Sequence, residues 1–221
     1  MRIVVAGGHG QIARRLHRAL VAIGDEPVGI VRNPAHVPDV RSDGAEAVVL
    51  DLETATVHEV VDVLVGADAV VFAAGAGPGS GPERKDSVDR GAAALLADAA
   101  TLAHVRRYVL VSALGAGDVP PAGTDTGFAA YLHAKTASEV DVAGRDLDWT
   151  IVRPGALTNA DGSGHVLLDD EVPRGSVSRD DVAAVLAALL HEPRTAGLVL
   201  ELTSGSIPVD AAVAAVTERE D

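Results

Sequence analysis

The segment Tyr131-Leu132-His133-Ala134-Lys135 carries the most chemistry in the chain. A spacing of four places the phenol and the ammonium on one face of a helix. That is close enough for the cation to stabilise a phenolate and draw the tyrosine below its usual pKa of about 10. Such a tyrosine can exchange protons nearer neutrality. The chain holds 2 tyrosines in 221 residues, and its lysines are Lys85 and Lys135, so chance predicts only about 0.02 such pairs. Upstream, Ser112 closes an apolar run, where its hydroxyl could orient a substrate carbonyl or simply form a turn.

A second set of residues lies near the start. The run Ile3-Val4-Val5-Ala6 passes directly into Gly7-Gly8-His9-Gly10-Gln11-Ile12-Ala13, which reads as G-x-G-x-x-A from Gly8 and as G-x-x-G-x-x-A from Gly7. Glycines there allow a tight turn and let backbone N–H groups approach a pyrophosphate at the positive end of the next helix. Any strand-to-helix turn favours glycine, but this one follows the first strand, where a dinucleotide would bind. The Lys-Ser/Thr pair of a nucleoside-triphosphate loop is missing. His9 could touch a phosphate or merely occupy the turn.

The next run, Val28 to Val31, ends in Arg32-Asn33. An NAD site sets an acid there for the ribose 2′-hydroxyl, whereas an NADP site sets an arginine. The nearest acids, Asp25 and Glu26, precede the run. Arg32 is therefore a candidate clamp for a 2′-phosphate, against the plainer reading of an exposed arginine. The cofactor expected is NADP (as NADPH), with NAD possible. Asp51-Leu52 and Ala73-Ala74-Gly75 close two further runs; Asp51 could accept the adenine amino group or cap a turn, and the small residues could admit the cofactor or merely pack.

Positioning these groups requires repeated strand–helix units. The continuous apolar runs Ile3–Ala6, Val28–Val31, Ala47–Leu50, Ala69–Ala74, Tyr108–Val111 and Trp149–Val152 read as parallel strands buried on both faces. Helical patterns fall at 11–23, 56–65, 87–104 and 129–144. The implied class is α/β: a doubly wound, mostly parallel sheet in a three-layer α/β/α sandwich, formed by one Rossmann domain over 1–221. Two stretches break the rhythm. Gly75 to Pro82, rich in glycine and proline, should be a mobile loop. Arg153 to Ser178 should be irregular, with short strands before a helix near Asp180, and should build a substrate-side region around 154–178.

Composition excludes several classes. Lys plus Arg is 18 against 32 Asp plus Glu, a formal charge of −14, and this lacks the basic footprint of a nucleic-acid binder. With no cysteine, disulfides, thiolate nucleophiles and cysteine-held metals are impossible. The 8 histidines show no metal spacing, and Asp169-Asp170-Glu171 reads as a solvated run. The longest apolar run, Val182 to Leu190, is too short for a membrane span. No targeting segment is apparent. A cytoplasmic protein acting on a small molecule is expected, as a monomer or as a homodimer through helix 87–104.

The order GGHGQIA, Arg32, Asp51-Leu52, AAGAG, VSALGA, YLHAK and Arg153-Pro154-Gly155 resembles the short-chain dehydrogenase/reductase superfamily. Within it the chain is similar to the atypical NAD(P)H-binding subgroup of NmrA-like and biliverdin reductase B-like proteins. The resemblance spans nearly the whole chain, including Ser178 to Ala183. It implies a Rossmann fold with Gly7, Gly10, Gln11 and Ile12 at the pyrophosphate, flanked by Gly8 and His9, and Arg32 with Asn33 at the 2′-phosphate. It further implies Asp51 and Leu52 beside adenine, Ala73, Ala74 and Gly75 at the ribose, and Pro154, Gly155 and Ala156 beside the nicotinamide. In active members Tyr131 would donate the proton, Lys135 would bind ribose and tune the tyrosine, and Ser112 would orient substrate. Ala13 departs from the third glycine, and Ser112 stands nearer the strand end than in many relatives. The implied function is hydride transfer in the reductive direction; a non-catalytic NADP(H) sensor, with residues 75–82 as its moving part, is the alternative. An epimerase or dehydratase is disfavoured, because such relatives carry a longer C-terminal substrate region.

Overall fold

The chain's structure, a computed structural model, describes residues 1–75, 77, 86–120 and 123–218. Strand β1 (Arg2–Ala6) is an interior strand of a nine-stranded sheet and shows why the apolar runs are continuous. Successive side chains of a strand point to opposite faces. Ile3 and Val5 enter one apolar layer, under α1 (Gln11–Ala22), α6 (Arg179–Leu190) and α7 (Val209–Thr217). Val4 and Ala6 enter the other, under α3 (Val57–Leu64), α4 (Ala92–Leu102) and α5 (Thr126–Ala143). Both layers are mainly aliphatic, with Phe72 and Tyr108 in the second. A short helix, α2 (Val37–Ser42), buries Val40 beside Ala45.

The sheet order is β3-β2-β1-β4-β5-β6-β10-β8-β11. Its members are β2 (Glu26–Val31), β3 (Glu46–Val49), β4 (Ala69–Phe72), β5 (Arg107–Val111), β6 (Asp148–Pro154), β8 (His165–Asp169), β10 (Val199–Ser204) and β11 (Ile207–Pro208). Pairing is parallel from β3 to β10, and β8 runs antiparallel to β10 and to β11. The expected mostly parallel, doubly wound sheet is present. Its order reverses between β1 and β4, so a crevice opens at their carboxyl ends, the usual place for a ligand in such sheets.

Several boundaries differ from expectation for physical reasons. The third run is not buried on both faces: β3 is the sheet's edge, and Glu46 and Val49 are exposed. The helix expected from 87 opens as a π-helical turn, Asp86–Gly91, before α4. The helix expected from 129 begins at Thr126, because Asp125 caps it by accepting the Phe128 N–H at 2.9 Å. β10 was not foreseen; its run is interrupted by Glu201, whose carboxylate accepts the Val172 N–H at 3.0 Å. The 153–178 excursion contains β7 (Ala156–Thr158) and β9 (Ser176–Ser178), paired as a two-stranded ribbon. Of the glycine-rich loop from Gly75 to Pro82, positions 76 and 78–82 lie outside the described residues. No helix among the described residues is long and apolar enough to cross a membrane.

Candidate functional site

The glycines after β1 are required by contact as well as by conformation. Gly7 has φ +77°, and a Cβ on it would fall 2.6 Å from Ala74 Cα. A Cβ on Gly8 would fall 2.6 Å from Gly29 Cα on β2. Both approaches are shorter than any side chain tolerates, so the turn lies flush against the carboxyl ends of β4 and β2. Gly10, whose N–H closes the turn onto Gly7 O at 2.7 Å, caps α1 without a side-chain acceptor, and no acid stands in the first turn. The first-turn N–H groups thus lack a side-chain acceptor of their own, the arrangement that receives an anion.

A cavity of about 280 Å³ lies over this turn. Its lining brings together Gly7, His9, Gly10, Arg32, Asp51, Leu52, Ala73, Ala74 and Gly75 from the sequence-derived set. It adds His36, Glu53, Val88 and Ala92, which reasoning along the sequence missed. Arg32 Nη1 stands 3.4 Å from Glu53 Oε2, and Ser87 donates to Glu53 Oε1 at 2.8 Å. No acid follows β2 near Arg32 in the sequence, because Glu53 reaches it from the turn after β3, the neighbouring strand. His9 sits in the turn, stacked on His36 at 3.7 Å and bonded to Asp39 at 2.8 Å. One oxygen of Asp51 caps its own turn through the Glu53 N–H at 3.1 Å. An open glycine cradle, an uncapped helix start and an arginine at the mouth fit a nicotinamide dinucleotide.

Other predicted cofactor residues are placed elsewhere. Gly8 is packed beneath the turn, its N–H donating to Ile30 O at 2.9 Å and its carbonyl 3.0 Å from the buried His17 ring. Ile12 belongs to the core, Gln11 is exposed, and Asn33 accepts the Ala35 N–H at 3.0 Å to cap a 3₁₀ turn. Pro154, Gly155 and Ala156 do not line the cavity. They tie the far side of the crevice together: Pro154 O accepts the Leu114 N–H at 2.9 Å, Gly155 donates to Leu202 O at 2.8 Å, and Ala156 donates to Gly175 O at 2.9 Å.

The tyrosine and lysine do meet on one face of α5. Lys135 Nζ lies 5.8 Å from the Tyr131 ring centroid and is almost wholly buried. It donates to Val111 O at 3.0 Å and pairs with Asp89 at 3.2 Å. Asp89, fully buried, comes from the π-helical turn, a feature often found at functional sites. Its carboxylate also lies within 3.3 Å of where a Cβ on Gly75 would be. This reverses one expectation. Burial first, and then the Asp89 charge, push the Tyr131 phenol up to about 12 instead of down, because Lys135 is already neutralised by its partner.

Ser112 is corrected as well. It is 3% exposed and donates to Glu139 Oε1 at 2.5 Å. Glu139 in turn holds Arg153 through two bonds, of 2.9 and 2.6 Å. The Ser112 hydroxyl therefore belongs to a buried network joining β5, α5 and β6, and in this structure it donates to Glu139.

Fold and site together define a Rossmann-type dinucleotide-binding protein; the tyrosine–lysine pair of α5 does not line the cavity itself and adjoins it through Asp89. The chain belongs to the NAD(P)H-binding family, whose model matches residues 7–193, in keeping with the resemblance to NmrA-like atypical reductases. The Bacillus subtilis protein named "Uncharacterized sugar epimerase YhfK" is 33% identical over 95% of this chain and 97% of its own. The solved structure of a Bacillus halodurans protein, "Putative NAD-dependent epimerase/dehydratase", has a TM-score of 0.90 at 34% identity, covering 98% of this chain and all of that one. The oxidoreductase ylbE from Lactococcus lactis has a TM-score of 0.88 at 26% identity over the full chain and 99% of its own. Relatives named as epimerases are thus no longer than this protein, and length does not separate the two activities.

Proposed function

We propose that the protein is an NAD(P)H-dependent reductase that prefers NADP and reduces a small carbonyl or conjugated compound, with Tyr131 as the proton donor. A bound nicotinamide would supply the hydride. The chain would supply the rest: Gly7, Gly10 and the start of α1 hold the pyrophosphate, and Arg32 faces the 2′-phosphate. NAD is accommodated less well, since Arg32 would then have no phosphate to meet. The reading is carried by one observation, the partly buried Tyr131 beside the Asp89–Lys135 pair. A phenol held neutral to about 12 keeps its proton through the physiological range and yields it only to a developing alkoxide or enolate, which suits reduction.

An epimerase reading has the names of two relatives in its favour. That reaction begins by removing a proton from a substrate hydroxyl, which a neutral Tyr131 performs poorly. The test is consumption of NADPH and NADH against a panel of aldehydes, ketones, enones and quinones. Tyr131→Phe should lower turnover by on the order of 10²–10⁴ while leaving cofactor affinity intact. An undiminished rate in that variant refutes the assigned role; cofactor binding without net consumption, together with isomerised sugar nucleotide, would favour the epimerase.

A further inference from the structure

Tyr131 lines neither cavity itself, but its neighbours reach toward both. On one side, Lys135 and Asp89 adjoin Gly75 and Val88 of the dinucleotide crevice. On the other, Phe128 packs against Tyr131, with ring centroids 6.1 Å apart, and forms a wall of a second cavity of about 340 Å³. This volume is at the low end for small-molecule sites, ~300–1,000 Å³. The cavity opens where the chain leaves β5 and enters α5, with apolar walls from Leu114, Phe128 and Leu132. Phe128, half exposed, lines it with an aromatic ring.

Three charged residues line this cavity: Asp118, Asp125 and Arg174. Asp125 spends its carboxylate on the cap of α5. Asp118 lies near Arg153 and favours its cation. Arg174 makes no ion pair or hydrogen bond with any described residue, whereas Arg14, Arg18, Arg106, Arg145 and Arg153 are each paired to an acid. Arg2, Arg107 and Arg179 also lack an acid, bonding only to neutral groups, but none of them lines this cavity. The Arg174 backbone is pinned on both sides. Val172 N–H bonds Glu201 at 3.0 Å, and Gly175 O accepts the Ala156 N–H at 2.9 Å. Gly175 O also packs so tightly on Gly155 that a Cβ there would fall 2.4 Å from it. The backbone is therefore fixed beside the cavity, and the exposed Arg174 side chain that lines it has its donors available.

We propose that this second cavity is the substrate site, and that it takes flat aromatic or conjugated molecules bearing a carboxylate, which Arg174 receives as a two-pronged donor. The ring lies along Phe128 and the reducible group reaches Tyr131. The proposal rests on the reductase reading for the identity of the bound molecule as substrate, but its test does not depend on turnover.

The experiment is calorimetric titration of NADP-saturated protein with benzoate, cinnamate and 2-naphthoate, each against its uncharged amide. The parent should bind at least one carboxylate better than its amide, by on the order of tenfold for a charge-assisted pair. Arg174→Gln should abolish that preference and leave NADP affinity and the melting temperature unchanged; Phe128→Ala should weaken acid and amide alike. Three results would overturn the proposal: no saturable binding of any carboxylate, equal binding of acids and amides, or undiminished carboxylate binding in Arg174→Gln. Preserved carboxylate binding with no turnover of any carbonyl compound would instead overturn the reductase reading and leave the site standing. Turnover of uncharged carbonyls with no carboxylate preference would do the reverse.

Discussion

Replacing Asp89 by asparagine isolates the interaction that sets Tyr131. Lys135 Nζ lies 5.8 Å from the Tyr131 ring centroid, and at an effective dielectric of about 20 a lone unit charge at that distance stabilises a phenolate by roughly 3 kcal/mol, or ~2 pKa units. In the native protein Asp89, 3.2 Å from the ammonium, cancels most of that field. Burial, and after it the Asp89 charge, then push the phenol up to about 12. Asparagine keeps the size and removes the charge, so the Tyr131 midpoint should fall by about 2 units, toward its ordinary value. The assay is tyrosinate absorbance during alkaline titration. It is tractable because there are 2 tyrosines, and Tyr108, fully buried, is driven still higher. Tyr131→Phe should delete the first phase, and the Asp89→Asn/Lys135→Met pair should restore the high midpoint. The sign extends to stability: a raised folded-state pKa contributes stability present below about pH 10, lost as pH rises through the window from 10 to about 12. An unchanged or higher midpoint in Asp89→Asn would refute the cancellation argument.

Four further outcomes are expected. Arg32→Ala should weaken NADPH by about 10–100-fold and NADH little, while Glu53→Gln should favour NADPH by relieving the carboxylate 3.4 Å from Arg32; calorimetry with both cofactors checks this. Gly8→Ala should cost about 3 kcal/mol, since its Cβ would meet Gly29 Cα at 2.6 Å with backbone on both sides and nothing flexible to yield, as measured by urea unfolding. Asp43, nearly buried, is opposed by burial but held low overall by Arg14 and Arg18, each at 2.5 Å. Asp43→Asn should therefore cost about 2 kcal/mol at neutral pH, and the gap from the parent should close on acidification, as the native carboxylate protonates below its ordinary value; parallel melts across acidic pH test the sign.

Much of this architecture could be read directly from residue order. Continuous apolar runs demand strands covered on both faces, and the alternation of Ile3 and Val5 with Val4 and Ala6 meets that demand. Gly7 and Gly8 announce a close backbone approach because no other residue type survives the contacts they make. Tyr131 and Lys135 share a helical face by spacing alone. These are local properties, set by the period of a strand or helix and by the absence of a side chain.

The electrostatic character of the site is not local. Asp89 is distant from Lys135 in sequence, and its approach depends on α4 and α5 packing on one face of the sheet. Glu53 reaches Arg32 only because β3 lies beside β2. Ser112 is claimed by Glu139, which the α5 register brings over β5. A charge or hydroxyl acts through whatever stands within a few ångströms of it, and in a doubly wound sheet those neighbours come from other strands and helices. Sequence alone therefore identified the fold, the glycine turn and the tyrosine–lysine pair. Only the folded chain reversed the sign of the tyrosine's shift, set an acid beside the arginine, and left Arg174 without an acid at the second cavity.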